Sequence, residues 1–348
     1  MTVRKTKLFF VKYLILAVFL SMCLSCSTAP PAVIIPDKPS GEYIWPSPPA
    51  TPKIKWITNW SSRYDFGKPS QIMELLVGKE RVEQLIRPNG VVTDAAGNIY
   101  VADSESHIVF VFDLEKKALR FIGLRRISVP IGLAVNNKDG VIYVSDSQQD
   151  KIFGFDKNTD DIKINIGGPG EFKNPSGLVY DEKTERLYVA DTQNHAVKVF
   201  DKDGRPLFTI GKRGGENGEF NFPSYLAMDK NGILYVVDSF NFRVQMFDSN
   251  GNFLKKFGKA GDTSGSFARP GGIGVDSDGN IYVVDTSFNN FQIFNNDGKL
   301  VLWIGSTGRK PGEFYLPSGM YIDNQDRIFV SDTFNRRVQV FQYIKDIK

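Results

Sequence analysis

The sequence predicts an all-β protein, a six-bladed β-propeller built from four-stranded antiparallel blades. One pattern occurs six times along the chain, and each copy holds four short segments that are typical of strands. The copies follow one another at about 42 to 48 residues, the length of one propeller blade. A proline marks the start of each copy: Pro88, Pro130, Pro175, Pro223, Pro270 and Pro317.

The four segments of a copy are named a to d in chain order. Segment a follows Pro-x-Gly and ends at an Asp and a Gly-containing turn, as at 94–97. Segment b is β-branched and aromatic, as at 99–101, and segment c alternates apolar and polar residues, as at 197–199. Segment d, as at 207–211, follows a second Asp-Gly turn. Such a sheet cannot bury both faces alone, so the blades must stack in a ring.

The sixth copy stops after segment c, at 338–341, which leaves a strand edge without a partner. An alternating segment at 53–60 has the length of a fourth strand. We expect this segment to complete the last blade and close the ring. Between it and the first copy, Ser70 and the helical spacing that follows it predict a short helix near 70–85.

The first residues predict export. Four basic residues precede a short apolar run, which is typical of a signal peptide over 1–25. Leu24-Ser25-Cys26 resembles a bacterial lipobox, so we expect a lipid on Cys26; the alternative is an ordinary signal peptide with an incidental Cys. A Pro-rich stretch over 26–52 is expected to be a tether and 53–348 the propeller.

The charge balance changes when the signal peptide is removed. The full chain has 43 Lys and Arg against 39 Asp and Glu, a net charge of +4, with two Cys and two His. Residues 1–25 contain four of the basic residues and no acidic one, so the processed chain carries equal numbers of both. One Cys leaves with the peptide and the other would be acylated, so disulfides are not expected to stabilise the fold.

The repeated string resembles the NHL repeat. It reads Pro-x-Gly, then Asp-x-x-Gly-x-Ile-Tyr-Val-x-Asp, then Asn-x-Arg-Val-x-x-Phe-Asp, and the match is best at 223–258 and 317–341. With the lipobox, the chain looks like an NHL-repeat propeller lipoprotein of a diderm bacterium. The resemblance implies the propeller fold, but a fold by itself does not define a function.

Recurring polar residues are interpreted as structural. An Asp ends segment b in every copy, and we expect these side chains to accept backbone hydrogen bonds in the b–c turn. They are Asp103, Asp146, Asp191, Asp238, Asp285 and Asp332. His107 and His195 occupy one equivalent position in two non-adjacent copies, and two such residues do not form a zinc site. The Asp-Gly turns lack the Glu and the helices of a calcium-binding EF-hand.

Some six-bladed relatives are metal-dependent lactonases or lyases, whose ligands lie where the innermost strands open onto the central channel. The corresponding positions here carry no carboxylate and no His, so we expect no metal and no cofactor. They are Asn89, Ile131, Ser176, Ser224, Gly271 and Ser318, of which Asn89, Ser176, Ser224 and Ser318 are polar candidates at the channel mouth. A metal would have ligands only if Glu171, Glu219 and Glu313 turned inward.

One face of the ring is the candidate binding surface. The d–a connections share a face with the b–c turns and are rich in basic residues, whereas Asp dominates the opposite turns. The alternative is ordinary solvated loop charge. Tyr225 replaces a Gly found in the other five copies, and Phe220 and Phe222 are close in sequence, so we expect an aromatic contact at the channel mouth. The binding candidates are Arg125, Arg126, Lys212, Arg213, Tyr225, Lys259, Arg269, Arg309 and Lys310.

These features favour a lipid-anchored, non-enzymatic scaffold at the bacterial envelope that binds a protein or an anionic ligand, and the outer membrane is its expected location. The alternative is a metal-dependent hydrolase or lyase with a site at the channel mouth. The expected partners are an envelope or extracellular protein and, through the acyl anchor, the lipid bilayer. NHL domains can bind RNA, but nucleic acid is not expected as a partner of an exported chain with balanced charge.

Overall fold

The computed structural model describes residues 42–51, 53–67, 83–168 and 170–345. The predicted signal peptide over 1–25, Cys26 and most of the predicted tether lie outside these ranges. The helix predicted near 70–85 also lies outside them except for 83–85, which are not helical. None of the helices within the described ranges is long and apolar enough to cross a membrane.

The described residues form 25 strands in six antiparallel sheets, which confirms the six-bladed propeller. The first strands of the described residues are β1 (Ile44–Trp45) and β2 (Ile54–Trp60). Blade 1 consists of β3 (Pro88–Thr93), β4 (Ile99–Asp103), β5 (Ile108–Asp113) and β6 (Ala118–Ile122). Blade 2 consists of β7 (Pro130–Asn136), β8 (Val141–Asp146), β9 (Lys151–Asp156) and β10 (Ile162–Ile166). Blade 3 consists of β11 (Pro175–Asp181), β12 (Arg186–Asp191), β13 (Ala196–Asp201) and β14 (Pro206–Ile210).

The remaining blades follow the same plan. Blade 4 consists of β15 (Pro223–Met228), β16 (Leu234–Asp238), β17 (Arg243–Phe247) and β18 (Phe253–Phe257). Blade 5 consists of β19 (Pro270–Val275), β20 (Ile281–Asp285), β21 (Asn290–Phe294) and β22 (Leu300–Ile304). Blade 6 contains β23 (Met320–Ile322), β24 (Arg327–Asp332) and β25 (Arg337–Tyr343). Short 3-10 helices lie at Arg63–Phe66, Thr192–Asn194, Ser239–Asn241 and Thr333–Asn335.

The ring closes as the sequence predicts. Strand β2 pairs antiparallel with β25, from Ile54 opposite Tyr343 to Trp60 opposite Val338. Strand β1 then pairs with β2 on its outer side, and the Trp45 ring packs 5.9 Å from the ring of Phe341. Blade 6 therefore begins inside the segment that the sequence assigned to the tether, because two apolar residues there cover the outer edge.

The core lies between the blades. Buried apolar side chains form six clusters, and each cluster joins one blade to the next around the ring, with the last joining blade 6 to blade 1. Tyr100, Tyr143, Tyr188 and Tyr282, one from each of four b strands, are fully buried in these clusters. Burial of apolar area between neighbours thus replaces the second layer that a single sheet would need.

Glycine brings the innermost strands together. A Cβ on Gly132 would lie 2.1 Å from the carbonyl oxygen of Ser176 in the next blade, and one on Gly319 would lie 2.1 Å from that of Asn89. No side chain fits at that separation, which explains the Gly of the Pro-x-Gly motif. Blade 4 carries Tyr225 at this position, and the strand beside it begins Pro-Gly-Gly.

Candidate functional site

Two faces of the ring differ in their loops. We call the side of the d–a connections and b–c turns the upper face, and the side of the a–b and c–d turns the lower face. Antiparallel pairing within each blade fixes this division. Each d–a connection joins the outermost strand of one blade to the innermost strand of the next. A site on the upper face is therefore held by strands at both ends of its loops.

The six Asp side chains that end the b strands hold the upper face together. All six are fully buried. Asp103 accepts backbone hydrogen bonds from Ile86 and Arg87, just before the Pro of its blade, and from Glu105 and Ser106 in its own turn. The other blades use their Asp in the same way, so the structural interpretation of these residues is confirmed.

Three d–a connections are long and share one conformation. They span 211–222, 258–269 and 305–316, and each contains a short parallel bridge, the first between Arg213 and Phe220. Arg243 of β17 is buried beneath the first loop: its Nε donates to Asp238 at 2.8 Å, and its two Nη atoms donate to the carbonyl oxygens of Gly215, Glu216 and Glu219. Arg337 of β25 makes the equivalent bonds beneath the third loop.

The Glu residues of these loops do not turn toward the channel. Glu219 accepts the backbone N–H of Glu216 at 3.1 Å and lies 3.4 Å from Lys212 Nζ. Glu313 accepts the N–H of Lys310 in the same way. Glu171 lies half-buried in the shorter connection between blades 2 and 3. Within the described ranges, no group of three or more His, Cys, Asp or Glu converges as metal ligands would.

The four polar residues at the channel mouth hydrogen-bond within and between blades. Ser176 Oγ lies 2.6 Å from Thr192 Oγ1 and donates to the carbonyl of Ser224 in the next blade at 2.8 Å. The partner residue follows the buried Asp, and it is a Ser or Thr in all six blades. This pattern was missed at the sequence level. Asn89, Ser224 and Ser318 contact Ser104, Ser239 and Thr333 respectively.

A cavity of about 190 Å³ runs along the axis below those residues. The six a strands line it, and none of the four mouth residues does. Tyr225 borders its upper part, while exposed Asn137 and Glu182 border it at the lower face. Burial raises the pKa of Tyr225 to about 12, against opposing effects of the nearby Ser318 hydroxyl and the charge of Arg269. The phenol therefore stays neutral and narrows the channel from above.

The two histidines lie at equivalent turns and do not converge. His107 Nδ1 contacts the carbonyl oxygen of Ser128. His195 is buried, and its Nδ1 accepts the N–H of Phe222 at 3.2 Å. Burial, helped by the positive charge of Arg213, lowers the pKa of His195. Neutral His195 thus links the b–c turn of blade 3 to the connection into blade 4 on the upper face.

Most basic candidates of the upper face are exposed and unpaired. Two are used internally: Arg126 pairs with Asp160 at 2.9 Å, and Lys212 pairs with Glu219. On the lower face, Lys138, Lys157 and Lys202 pair with carboxylates, and Lys117 and Lys299 are exposed without an ion pair. Among the described residues, the exposed upper-face cations without an ion pair are Arg125, Lys173, Arg213, Lys259, Arg269, Arg309, Lys310 and Arg336.

Exposed aromatic rings lie among these cations. Phe240, 62% exposed, packs 5.0 Å from Phe222, which contacts His195. One turn of blade 6 repeats the arrangement, with Phe334 packed 5.5 Å from Tyr315 and below the guanidinium of Arg87. Phe220 is fully buried in the core, so the aromatic contact suggested around Tyr225 is not formed with it. The exposed rings of the upper face are instead Phe240 and Phe334 of the b–c turns and Tyr315 of a d–a connection.

Two family models match parts of the chain. One, described as a 6-bladed beta-propeller, matches residues 275–344, and one described as an SMP-30/Gluconolactonase/LRE-like region matches residues 57–211. The chain is a six-bladed propeller with an SMP-30-like region. No curated protein matches it in sequence.

Solved structures share the fold at low identity. A protein of unknown function from Bacteroides thetaiotaomicron is 16% identical with a TM-score of 0.60, covering 74% of this chain and 70% of that one. An auxiliary nutrient binding protein from the same organism is 16% identical with a TM-score of 0.58, covering 75% and 70%. Virginiamycin B lyase from Staphylococcus aureus is 12% identical with a TM-score of 0.54, covering 74% and 95%.

Proposed function

We propose that this propeller is a lipid-anchored, non-enzymatic scaffold of the bacterial envelope that binds an acidic protein through its upper face. The observation that carries the proposal is the contrast between the two faces. Among the described residues, eight exposed cations of the upper face have no ion pair, whereas most cations of the lower-face turns pair with a carboxylate or donate to a backbone carbonyl. The exceptions on the lower face are Lys117 and Lys299. Unpaired charges on one face favour and steer an oppositely charged partner.

The exposed rings supply the apolar part of such an interface. Phe240, Phe334 and Tyr315 are 62, 47 and 46% exposed, and none of the large exposed apolar residues lies in a described lower-face turn. Aromatic and Arg side chains are the residue types that dominate binding energy at protein interfaces. The mixture of rings and guanidinium groups favours a protein over a simple anion.

Anchoring through Cys26 is the second part of the proposal. Its support is the lipobox-like Leu24-Ser25-Cys26 and the Pro-rich stretch that follows. Fatty-acid labelling of intact cells should mark the wild-type chain and leave a Cys26→Ser variant unlabelled; equal labelling of both would contradict the anchor.

Charge reversal tests the interface. Reversing Arg213, Arg269 and Arg309 to Glu should lower the yield of the partner, crosslinked in intact cells and quantified by mass spectrometry, by about tenfold. The matched control reverses Lys117, Lys256 and Lys299, which are exposed, unpaired and away from the upper face. Both variants change the net charge equally. Equal loss of partner in both, or in neither, would overturn the proposal.

A metal-dependent hydrolase or lyase is the second candidate, favoured by the SMP-30-like match over residues 57–211. Its site would be the axial cavity, whose polar side chains include Asn137, Glu182 and Tyr225. Turnover of lactone substrates by the purified protein, lost with a chelator and with Glu182→Gln, would favour this candidate over the scaffold.

A further inference from the structure

Blade 5 differs from its neighbours at one buried position. Strands β17 and β25 begin with Arg243 and Arg337, which face Asp238 and Asp332 across the b–c pair. Strand β21 begins with Asn290, which faces Asp285 in the same register. The two arginines each fill a space below a long loop with a guanidinium group, and blade 5 has none there.

The loop above Asn290 nevertheless keeps the conformation of the other two. Phe267 N–H donates to Lys259 O at 2.9 Å and Gly261 N–H donates to Phe267 O at 3.2 Å. The corresponding bonds of the loop at 211–222 measure 2.8 and 3.0 Å. The bridge between Ala260 and Phe267 corresponds to that between Arg213 and Phe220, and Gly265 has a positive φ as Gly218 does.

The Gln two positions after Asn290 on strand β21 is retained as well. Gln292 donates to Ser266 O at 2.8 Å and accepts the N–H of Gly265 at 2.7 Å. In blade 4, Gln245 makes the same pair of bonds to Glu219 and Gly218. Because the backbone is the same, the carbonyl oxygens that receive a guanidinium in blades 4 and 6 have counterparts in blade 5, at Asp262, Thr263 and Ser266.

By this equivalence, oxygen atoms border the place that the guanidinium group takes in blades 4 and 6. We define the blade 5 cradle as the carbonyl oxygens of Asp262, Thr263 and Ser266, the carboxylate of Asp285 and the side-chain oxygen of Asn290. Asp285 is fully buried and accepts only backbone N–H groups among the described residues. Asn290 Oδ1 is buried without any hydrogen-bond donor. A buried acceptor without a partner costs free energy, which a cation would recover.

We propose that the blade 5 cradle binds one Ca²⁺ ion in place of the guanidinium group of the other two blades. Carbonyl, amide and carboxylate oxygens are the ligands that Ca²⁺ prefers, and it accepts six to eight of them in irregular geometry. The five oxygens of the cradle, completed by water, suit that number. The ion fixes the loop that carries Lys259 and Arg269, independently of any partner at the upper face.

Calcium binding to the purified full chain tests the site. Wild-type protein freed of metal should bind one Ca²⁺ per chain in equilibrium dialysis, and saturating Ca²⁺ should raise the midpoint of thermal unfolding by about 5 °C. Asn290→Arg should bind none, and its midpoint should be independent of Ca²⁺. Arg243→Asn, which opens the same cradle in blade 4, should bind two.

Three results would overturn the site: no Ca²⁺ bound by wild type, unchanged binding by Asn290→Arg, or binding of Na⁺ in preference to Ca²⁺. Should Asn290→Arg not fold, the gain of a second ion by Arg243→Asn decides the matter. The dialysis is read without reference to partner capture, so failure here leaves the scaffold function untouched.

Discussion

On the upper face, blades 1 to 3 and blades 4 to 6 use the same strands for different surfaces. Two residues after the buried Asp, the b–c turns of the first half carry Glu105, Gln148 and Gln193, whereas blades 4 and 6 carry the exposed rings of Phe240 and Phe334 and blade 5 has Ser287. The connections into blades 2 and 3 span only 123–129 and 167–174, against twelve residues in each loop of the second half. The same arrangement of strands thus accepts loops of different length and residue type.

Buried arginines support two of the three long loops. A twelve-residue loop has many backbone carbonyls to satisfy, and Arg243 and Arg337 each satisfy three from below. The same position in blades 2 and 3 holds Lys151 and Ala196, below the short connections 123–129 and 167–174. Blade 5 keeps the long loop with Asn290 at this position, so a buried cation supports two of the three long loops.

Removing the closing strand should destabilise both halves of the propeller, and this is the largest effect on stability that we expect. Without residues 42–60, β25 loses its outer partner and the cluster that joins blade 6 to blade 1 is incomplete. We expect loss of cooperative thermal unfolding by circular dichroism. Adding a peptide of residues 42–60 should restore the transition in part, and an unaltered transition without it would contradict ring closure.

Removing one buried arginine should affect only the second half. Arg337→Met leaves Asp332 buried without its cation and removes three hydrogen bonds to loop carbonyls, which should cost about 3–5 kcal/mol of unfolding free energy in urea. The neighbouring Arg336 is exposed and unpaired, so Arg336→Met should change it by no more than about 0.5 kcal/mol. Similar losses in both variants would show that the loop bonds contribute little.

The smallest effect is expected from His195, at the border between the halves. Burial lowers its pKa in the folded state, so the unfolded chain takes up a proton first as the pH falls below about 6.5. This contribution to stability is present above that pH and is lost on acidification. Urea unfolding at pH 7 and pH 5 should show a smaller decrease for His195→Gln than for wild type; the same decrease in both would exclude this role.

The sequence was sufficient for the strands because each depends on local pattern. Pro-x-Gly, the Asp-Gly turns and the alternating c strands are repeated six times, and the incomplete last copy pointed to the closing strand. The Asp residues were correctly interpreted for the same reason, since their partners lie within their own repeat or just before it.

The site was less accessible from sequence because its contacts join distant segments. Arg243 donates to backbone carbonyls 24 to 28 residues earlier in the chain. Every residue type has a backbone carbonyl, so the sequence does not show which ones Arg243 contacts. Strand β1 is only two residues long and lies in a Pro-rich stretch, so no periodicity marks it. The position of Tyr225 beside the cavity depends on how closely six strands approach the axis.

The pairing of β2 with β25 also sets the order of events during synthesis. The ribosome completes residues 54–60 long before residues 337–343, so the closing strand must wait for the whole ring. Until then, the first and last blades each expose a face that only the other can cover, and such surfaces aggregate readily. A chain that lacks β25 cannot close the ring, so only molecules synthesised through this strand can complete the fold.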